Sequence, residues 1–574
     1  MNFVKCYKKI IFVFCALIFF GLAQNAIAII GEITKFNVDK DFDATARSQV
    51  SFTLVRVTDN FYFYVEKQWW ESQLLAKQNE ILVGFDNLSS EFKQKIYPIL
   101  TSVFGGEPDP GVDNDSKITI LFEAMNSSEG GYFRTADEYV KLQVPESNER
   151  EMLYLSLDQI DSNKLKSLLA HEFVHLITFN QKNRIFSLEE ETWLNEARAD
   201  YSSTILGYDS VYAGSNLQSR VKDFASSPSD SVTEWKGTKY DYASVSLFTH
   251  YLVDQYGIDV LINSLKSEYI GIESINYALV KSGSKDAFDK VFTDWTIASV
   301  INDCSIGKRY CYLNENLKNL KISPSLNFIP INGNVSLSVS DVTKNWTGNW
   351  LKFIGGSGDL KIDFSSLTGL DFKVPYILED SAGNQSVKFL TLDASEKGEI
   401  SVENFGTNYK FIIIIPSLQS KLSGFDGVEL TYPFTYSVSA KGNTQTEEQA
   451  TIQQLLDKIA LLKAEIAKLL AQKGGETQTT TPTTCLKLEN NLHFGMQNSE
   501  DVKCLQTFLK SQGTDIYPAG YITGNFGSLT MSAVIKFQEK YASEVLTPLG
   551  ISSGTGYVGS LTRQKINVLL SLGQ

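Results

Sequence analysis

The sequence predicts a multidomain chain: an α+β part with a sheet-bearing lobe and then a helical one, followed by a β-sandwich, a short coiled coil and a small α-helical bundle. Three observations carry this. Strand and helix patterns alternate up to about residue 161 and give way to helices alone; eight short strands divided by Gly, Asn, Asp and Ser follow; and the last part, from 443 on, turns to heptads and compact helical text. At 574 residues the chain is too long for one core.

The first residues stand apart. Lys5, Lys8 and Lys9 precede the apolar run IIFVFCALIFFGLA and then Ala26-Ile27-Ala28. This reads as a secretory signal peptide over 1–28, cut after Ala28, because the run is short of the roughly 20 residues that a membrane span needs. A secreted or cell-envelope location, with no stable membrane span after cleavage, is the expectation. The net charge of -14 makes nucleic acid an unsuitable partner.

From Ile29 to about Asp161, QVSFTLVRV, FYFYVE, KITILFEAM and EMLYLSL read as strands, and SEFKQKIYPILTSVF has helical spacing. The turn PDPGVDND, Pro108 to Asp115, gathers three acids around Gly111 and could hold Ca2+. Its spacing is not that of an EF-hand, and a hairpin-type turn with Asx hydrogen bonds accounts for it better.

Next comes SNKLKSLLAHEFVHLITFNQ, where Leu165, Leu168, Leu169, Leu176 and Phe179 mark one buried helix face and Asp161 or Ser162 can cap the start. Residues four apart lie one turn above each other, so His171 and His175 can offer two ring nitrogens to one ion. Glu172 beside them can accept a proton from a water on that ion, as in zinc peptidases. Two histidines alone leave a zinc short of protein ligands. In the following helix, ETWLNEARADYSSTILG, Glu196 stands 21 residues beyond His175 and is the natural third ligand. Asp200, one turn on, can orient a ligating ring from behind.

HEFVH followed by NEARAD resembles the gluzincins, the thermolysin-like zinc metallopeptidases. DPGVDNDSKITILFEAM, GGYFRTADEY, SNEREMLYLSL and YASVSLFTHYLVDQYG are similar to the hyicolysin-type family, over roughly Phe85 to Asp303. The resemblance implies a zincin-like fold, a Zn2+ held by His171, His175 and Glu196, Glu172 as catalytic base, and GGYFRTAD as an edge strand along which a protein or peptide substrate lies. It also implies an oxyanion donor further along. Tyr242 matches best the tyrosine that opens the equivalent helix; Tyr240 and His250 are the other candidates, His250 reading more as a packed histidine. The peptidase domain is expected over 29–320.

Four cysteines remain after the leader, as two local pairs: Cys304 with Cys311 and Cys485 with Cys504, each a plausible disulfide. The β-sandwich accessory domain is expected over 321–442, as a spacer or docking module. Ile452, Leu455, Ile459, Leu462, Ile466 and Leu469 form a seam of about three heptads within a coiled-coil stalk at 443–473, and self-association through 449–472 is one outcome. GGETQTTTPTT supplies a flexible linker over 474–484.

The last domain, 485–574, contains DVKCLQ, GNFGSLT and AVIKFQ, and resembles the peptidoglycan-binding-like three-helix module, which implies peptidoglycan or cell-wall glycan as a partner. From the residues alone it is a helical bundle with Leu505, Phe508, Val534 and Phe537 as core. The function these readings imply is a secreted zinc endopeptidase held at a cell wall. The alternatives are a wall-binding adhesin or scaffold with a structural or vestigial metal site, and an endopeptidase of peptidoglycan cross-links.

Overall fold

A computed structural model of the chain describes residues 29–126, 130–330, 334–425, 427–441, 487–496, 499–518, 520–549 and 554–571. The signal peptide at 1–28, the coiled-coil stalk at 443–473, the linker at 474–484 and Cys485 lie outside them. The chain divides into two compact units, Met1–Glu448 and Gln449–Gln574.

The first unit begins with strands β1 (Ile33–Asn37), β2 (Gln49–Val57) and β3 (Phe61–Glu66). Helices α1 (Lys67–Ser72), α2 (Leu75–Glu91) and α3 (Tyr97–Phe104) lead to β4 (Ile118–Glu123), β5 (Gly131–Phe133) and β6 (Met152–Ser156). The six strands form one mixed sheet in the order β1-β2-β3-β4-β6-β5. β3, β4 and β6 run parallel, as their continuous apolar text requires when both faces are covered, whereas β5 closes the edge antiparallel to β6. The GGYFRTAD segment therefore does supply an edge strand.

Against this sheet packs α4 (Leu165–Thr178), which carries HEFVH. Its N-cap is Lys164, with no side-chain cap; the Ser162 hydroxyl accepts from the Lys164 amide instead, and Asp161 pairs with Lys77 at 2.6 Å. The expected cap thus gives way to a tight turn before the helix. Beyond it lie α5 (Thr192–Ile205), α6 (Asn216–Ser226), α7 (Lys239–Tyr256), α8 (Asp259–Leu265), α9 (Gly271–Lys281) and α10 (Phe288–Ile301). A capping box between Thr238 and Asp241 fixes the start of α7, so Tyr242 sits in its first turn. Cys304 and Cys311 are joined by a disulfide just after α10.

Ten further strands follow: β7 (Ser325–Ile329), β8 (Asn334–Thr343), β9 (Leu351–Gly355), β10 (Gly358–Ser366), β11 (Phe372–Asp380), β12 (Gln385–Leu390), β13 (Lys397–Phe405), β14 (Tyr409–Ile414), β15 (Ser417–Leu418) and β16 (Tyr432–Lys441). The sequence led us to expect a sandwich of antiparallel strands. The strands instead join in one curled sheet, its two halves linked by the single parallel pair Phe405–Tyr409. Rings from the two halves still meet inside it, Phe364 with Phe372 at 5.4 Å and Phe353 with Tyr436 at 5.7 Å.

This curled sheet shares a core with the helices. Trp346 and Trp350 are buried in the same apolar cluster as Phe288, Phe292 and Trp295, and the Trp350 indole donates to the Thr296 carbonyl at 2.8 Å. Lys344 reaches Glu234, and the Gly424 amide donates to Glu191 at the start of α5.

Among its described residues the second unit holds three helices of twelve or thirteen residues, Glu500–Ser511, Ser528–Lys540 and Ser560–Ser571, around Leu505, Phe508, Val534 and Phe537, the core residues read from the sequence. Cys504 is disulfide-bonded. Two buried glutamines act alike: Gln506 accepts from the Thr523 and Gly524 amides and donates to Thr530, while Gln538 accepts from the Thr555 and Gly556 amides and donates to Thr562. Each pins a glycine turn to its helix, so the unit is built from one motif used twice. Burying a primary amide is tolerated because every donor and acceptor is used.

Candidate metal centre

The 3.6-residue period sets His171 and His175 on one face of α4, with ring centroids 4.9 Å apart. α5 packs across that face and brings in Glu196. Its Oε2 lies 3.1 Å from Nε2 of His171, and its Oε1 lies 3.6 Å from Nε2 of His175. One ligand atom from each of the three residues lies within 4.8 Å of the others. A tetrahedral zinc with bonds of about 2.0–2.1 Å would set its ligand atoms roughly 3.3–3.4 Å apart. Two imidazoles and a carboxylate at these spacings therefore fit that ion.

The electrostatics suit a cation. Burial opposes charge on His171, yet the hydrogen bond and charge of Glu196, with Glu172 and Asp200 behind, lift its pKa to about 9. Burial lowers His175, aided by the neighbouring His171 charge. Burial would raise Glu196, but the two rings outweigh it and hold that carboxyl below its usual range.

Glu172 is buried, at 3% exposure, and its carboxylate lies beside Gly131 of β5. A Cβ built on Gly131 would stand 3.0 Å from Glu172 Oε1. Gly131, His171, Glu172, Arg220 and Tyr242 line one cleft of about 390 Å³. Tyr242 is held there by rings and charge: Trp235 packs edge-on at 4.8 Å and the Arg220 guanidinium sits 4.6 Å from its ring centre. Tyr240 does not line the cleft but stacks under Lys239. His250 is packed at 2% exposure against Tyr201, with Thr204 3.4 Å from its Nε2, and burial drives its pKa down to about 4.

Asp200 lines the same cleft. Its carboxylate accepts from Asn216 at 2.7 Å and Arg220 at 2.9 Å, Ser246 also hydrogen-bonds to it, and its effect on His171 is one of charge. Sequence reading missed Arg220, which lies on α6 with no spacing signal to α5, and Asn195, whose side chain lies beside His175 and favours its charged form. The NEARAD text held Asn195 in view; only the packing of α4 on α5 shows what it faces.

The support behind α5 is also charged. Arg198, two residues past Glu196, is fully buried and pairs with Glu190 at 2.8 Å, and Glu190 in turn accepts from the Gly271 amide. A buried pair of this kind holds only while both partners remain.

Residues 498–566 match the family model described as "Putative peptidoglycan binding domain". The chain is also similar to the neutral metalloprotease ShpI of Staphylococcus hyicus, at 31% identity over 29% of this chain and 42% of that protein. The chain thus spans less than half the length of this curated relative. The resemblance of the chain to thermolysin-like metalloproteases carrying a peptidoglycan-binding-like domain is borne out by these two likenesses. Among solved structures, the pre-peptidase C-terminal domain of a Bacillus anthracis collagenase (11% identity, 20% of this chain, 96% of that one) and the lysozyme inhibitor PliG of Aeromonas hydrophila (8%, 21% and 100%) each reach a TM-score of 0.14, too low to carry an argument.

No helix among the described residues is long and apolar enough to cross a membrane.

Proposed function

We propose that the chain is a secreted, zinc-dependent endopeptidase of the gluzincin type whose C-terminal module holds it at a cell wall. The observation that carries this reading is the convergence of His171, His175 and Glu196 beside a separate carboxylate, Glu172, that faces the free edge of a sheet. His171, His175 and Glu196 hold the ion. When bound, zinc supplies a Lewis acid that polarises the scissile carbonyl and acidifies water. Glu172 takes the proton of the attacking water and passes it to the leaving amine. Tyr242, reaching the cleft from the first turn of α7, donates to the oxyanion. Asp200, clamped by Arg220 and Asn216, steadies His171 through its charge.

The substrate lies extended against β5, pairing its backbone as an added strand. Among the described residues β5 has β6 on one side and no strand on the other, which supports this placement. The six-stranded sheet and helices α4–α10 are the two lobes of the peptidase, the leader 1–28 directs export, Cys485 closes a disulfide with Cys504, and the 443–473 segment is the stalk.

Purified protein should contain one zinc per chain and digest an unfolded protein such as casein, with a chelator abolishing both. Absence of zinc, or digestion that survives its removal, contradicts the proposal. The match of residues 498–566 favours one second reading, that peptidoglycan cross-link peptides are also cut; release of peptides from purified sacculi decides it.

A further inference from the structure

Residues 230–236 lie in the connection from α6 to α7, without helix or strand, and the curled sheet grips this strap. The Ser231 hydroxyl donates to the Asn345 carbonyl at 2.7 Å, and the Val232 amide donates to the Trp346 carbonyl at 3.0 Å. Glu234 is fully buried. Both of its carboxylate oxygens lie 2.5 Å from Nζ of Lys344, just after β8, and Oε1 also accepts from the Glu429 amide at 2.9 Å.

Lys236 adds a second ammonium from within the strap, 2.8 Å from Glu234. Asp230 and Asp241 converge on the same place closely enough to hold a metal ion with Glu234, yet Lys236 lies 3.4 and 4.0 Å from them and already supplies the positive charge. Burial opposes charge on Glu234, but the two lysines and the Glu429 amide outweigh it and hold the carboxyl below its usual range. A buried carboxylate with partners on two separate segments fixes those segments relative to each other, because losing a partner leaves charge out of water.

The next residue carries this fixity to the cleft. Trp235 meets the Tyr242 ring edge-on at 4.8 Å, and the Arg220 guanidinium lies 4.6 Å from the same ring centre. Asp241, beside Tyr242, accepts from the Lys236 and Thr238 amides at 3.2 and 2.7 Å, so the strap and the first turn of α7 form one hydrogen-bonded piece.

We propose that Glu234 and Lys344 are positioning residues: through their ion pair the curled sheet holds Trp235 against Tyr242 and so sets that ring in the cleft, an inference that rests on reading Tyr242 as the oxyanion donor. The sheet thereby has a task in catalysis beyond that of a spacer.

The test uses the full chain labelled with 3-fluorotyrosine, the Tyr242 fluorine signal being assigned by its loss in Tyr242→Phe. Lys344→Met should shift or broaden that signal and lower kcat about tenfold with KM nearly unchanged, short of the whole effect of Tyr242→Phe. Lys344→Arg should restore most of kcat. Glu234→Gln should act as Lys344→Met does, and it guards against a failure to fold, since it removes the buried charge and leaves two lysines whose side chains are 23% and 30% exposed. Trp235→Leu, with the ion pair intact, should lower kcat to a similar degree. Lys361→Met removes an ion pair with Glu399 elsewhere on the curled sheet and should change neither the signal nor kcat. In the Tyr242→Phe background Lys344→Met should cost no more than about a further twofold, because both act through one contact. A signal that stays in place in both Lys344→Met and Glu234→Gln overturns the proposal, as does an equal loss of kcat from Lys344→Met with and without the Tyr242 hydroxyl. A displaced signal with kcat unchanged supports the positioning and removes Tyr242 from the oxyanion role instead.

Discussion

Glu172 Oε1 lies 3.0 Å from where a Cβ on Gly131 would stand, so the carboxylate on α4 and the edge strand β5 face each other across a gap that only a glycine leaves open. The same Cβ would also meet the Tyr154 carbonyl at 2.7 Å. Gly131→Ala should therefore shift Glu172 or the strand while leaving the three candidate metal ligands in place. We predict a fall in kcat/KM of about a hundredfold, the scale of a displacement of about 1 Å at a reacting group. Zinc content, measured alongside, should stay at one per chain.

Tyr242 is the candidate for the oxyanion because it alone of the three nominated side chains lines the cleft with His171 and Glu172. Tyr242→Phe should lower kcat by about 10²-fold with little change in KM, the signature of a contact made in the transition state. His250→Gln should affect stability more than catalysis, since its ring lies among Tyr201, Thr204 and Asn314.

The curled sheet is predicted to hold up the helices that carry the metal centre. Trp346 is fully buried, packing 4.8 Å from Phe288 and 5.4 Å from Phe292, and its indole donates to the Lys421 carbonyl. Trp346→Ala should cost about 3–5 kcal/mol, as for other large aromatics cut from a core. Chemical denaturation followed by tryptophan fluorescence reads it, and loss of proteolysis should track the loss of folded protein.

Stability should also fall toward alkaline pH through Glu123. Burial lifts this carboxyl to about 8, with the Tyr132 hydroxyl donating to it at 3.0 Å. The folded chain thus keeps a proton that the unfolded chain releases near its ordinary value of 4.5. The resulting stabilisation is full below pH 4.5, declines as pH rises and is gone above about 8, a span of roughly 5 kcal/mol. Glu123→Gln keeps a neutral group at every pH. The difference in thermal midpoint between this variant and the parent should grow in the variant's favour from pH 5 to pH 8.5.

Where residues act through local spacing, the sequence already showed them. The four-residue step from His171 to His175 and the NEARAD text, whose Glu196 stands 21 residues beyond His175, needed only helical geometry to suggest a shared ion, and α4 and α5 do bring Glu196 to 3.1 and 3.6 Å from the two rings. Strand text such as FYFYVE matched β3 residue for residue. What the sequence hid depends on contacts between distant segments. Arg220 reaches Asp200 from another helix, and Trp346 and Trp350 join the helical core from beside the curled sheet. Alternation along a strand tells which face is buried but not what covers it. The paired roles of Gln506 and Gln538 were present as letters, LQ and FQ, yet only their hydrogen bonds show a repeated unit.

The central claim is that Glu172 handles the proton while His171, His175 and Glu196 hold the ion. Glu172→Gln separates these roles, since it keeps the shape of the side chain and removes its basicity. The measurement is zinc content and casein cleavage on the same preparation of this variant. The account predicts one zinc per chain with cleavage reduced by about 10²–10⁴-fold or more. Cleavage at the parent rate, with zinc bound, would contradict it.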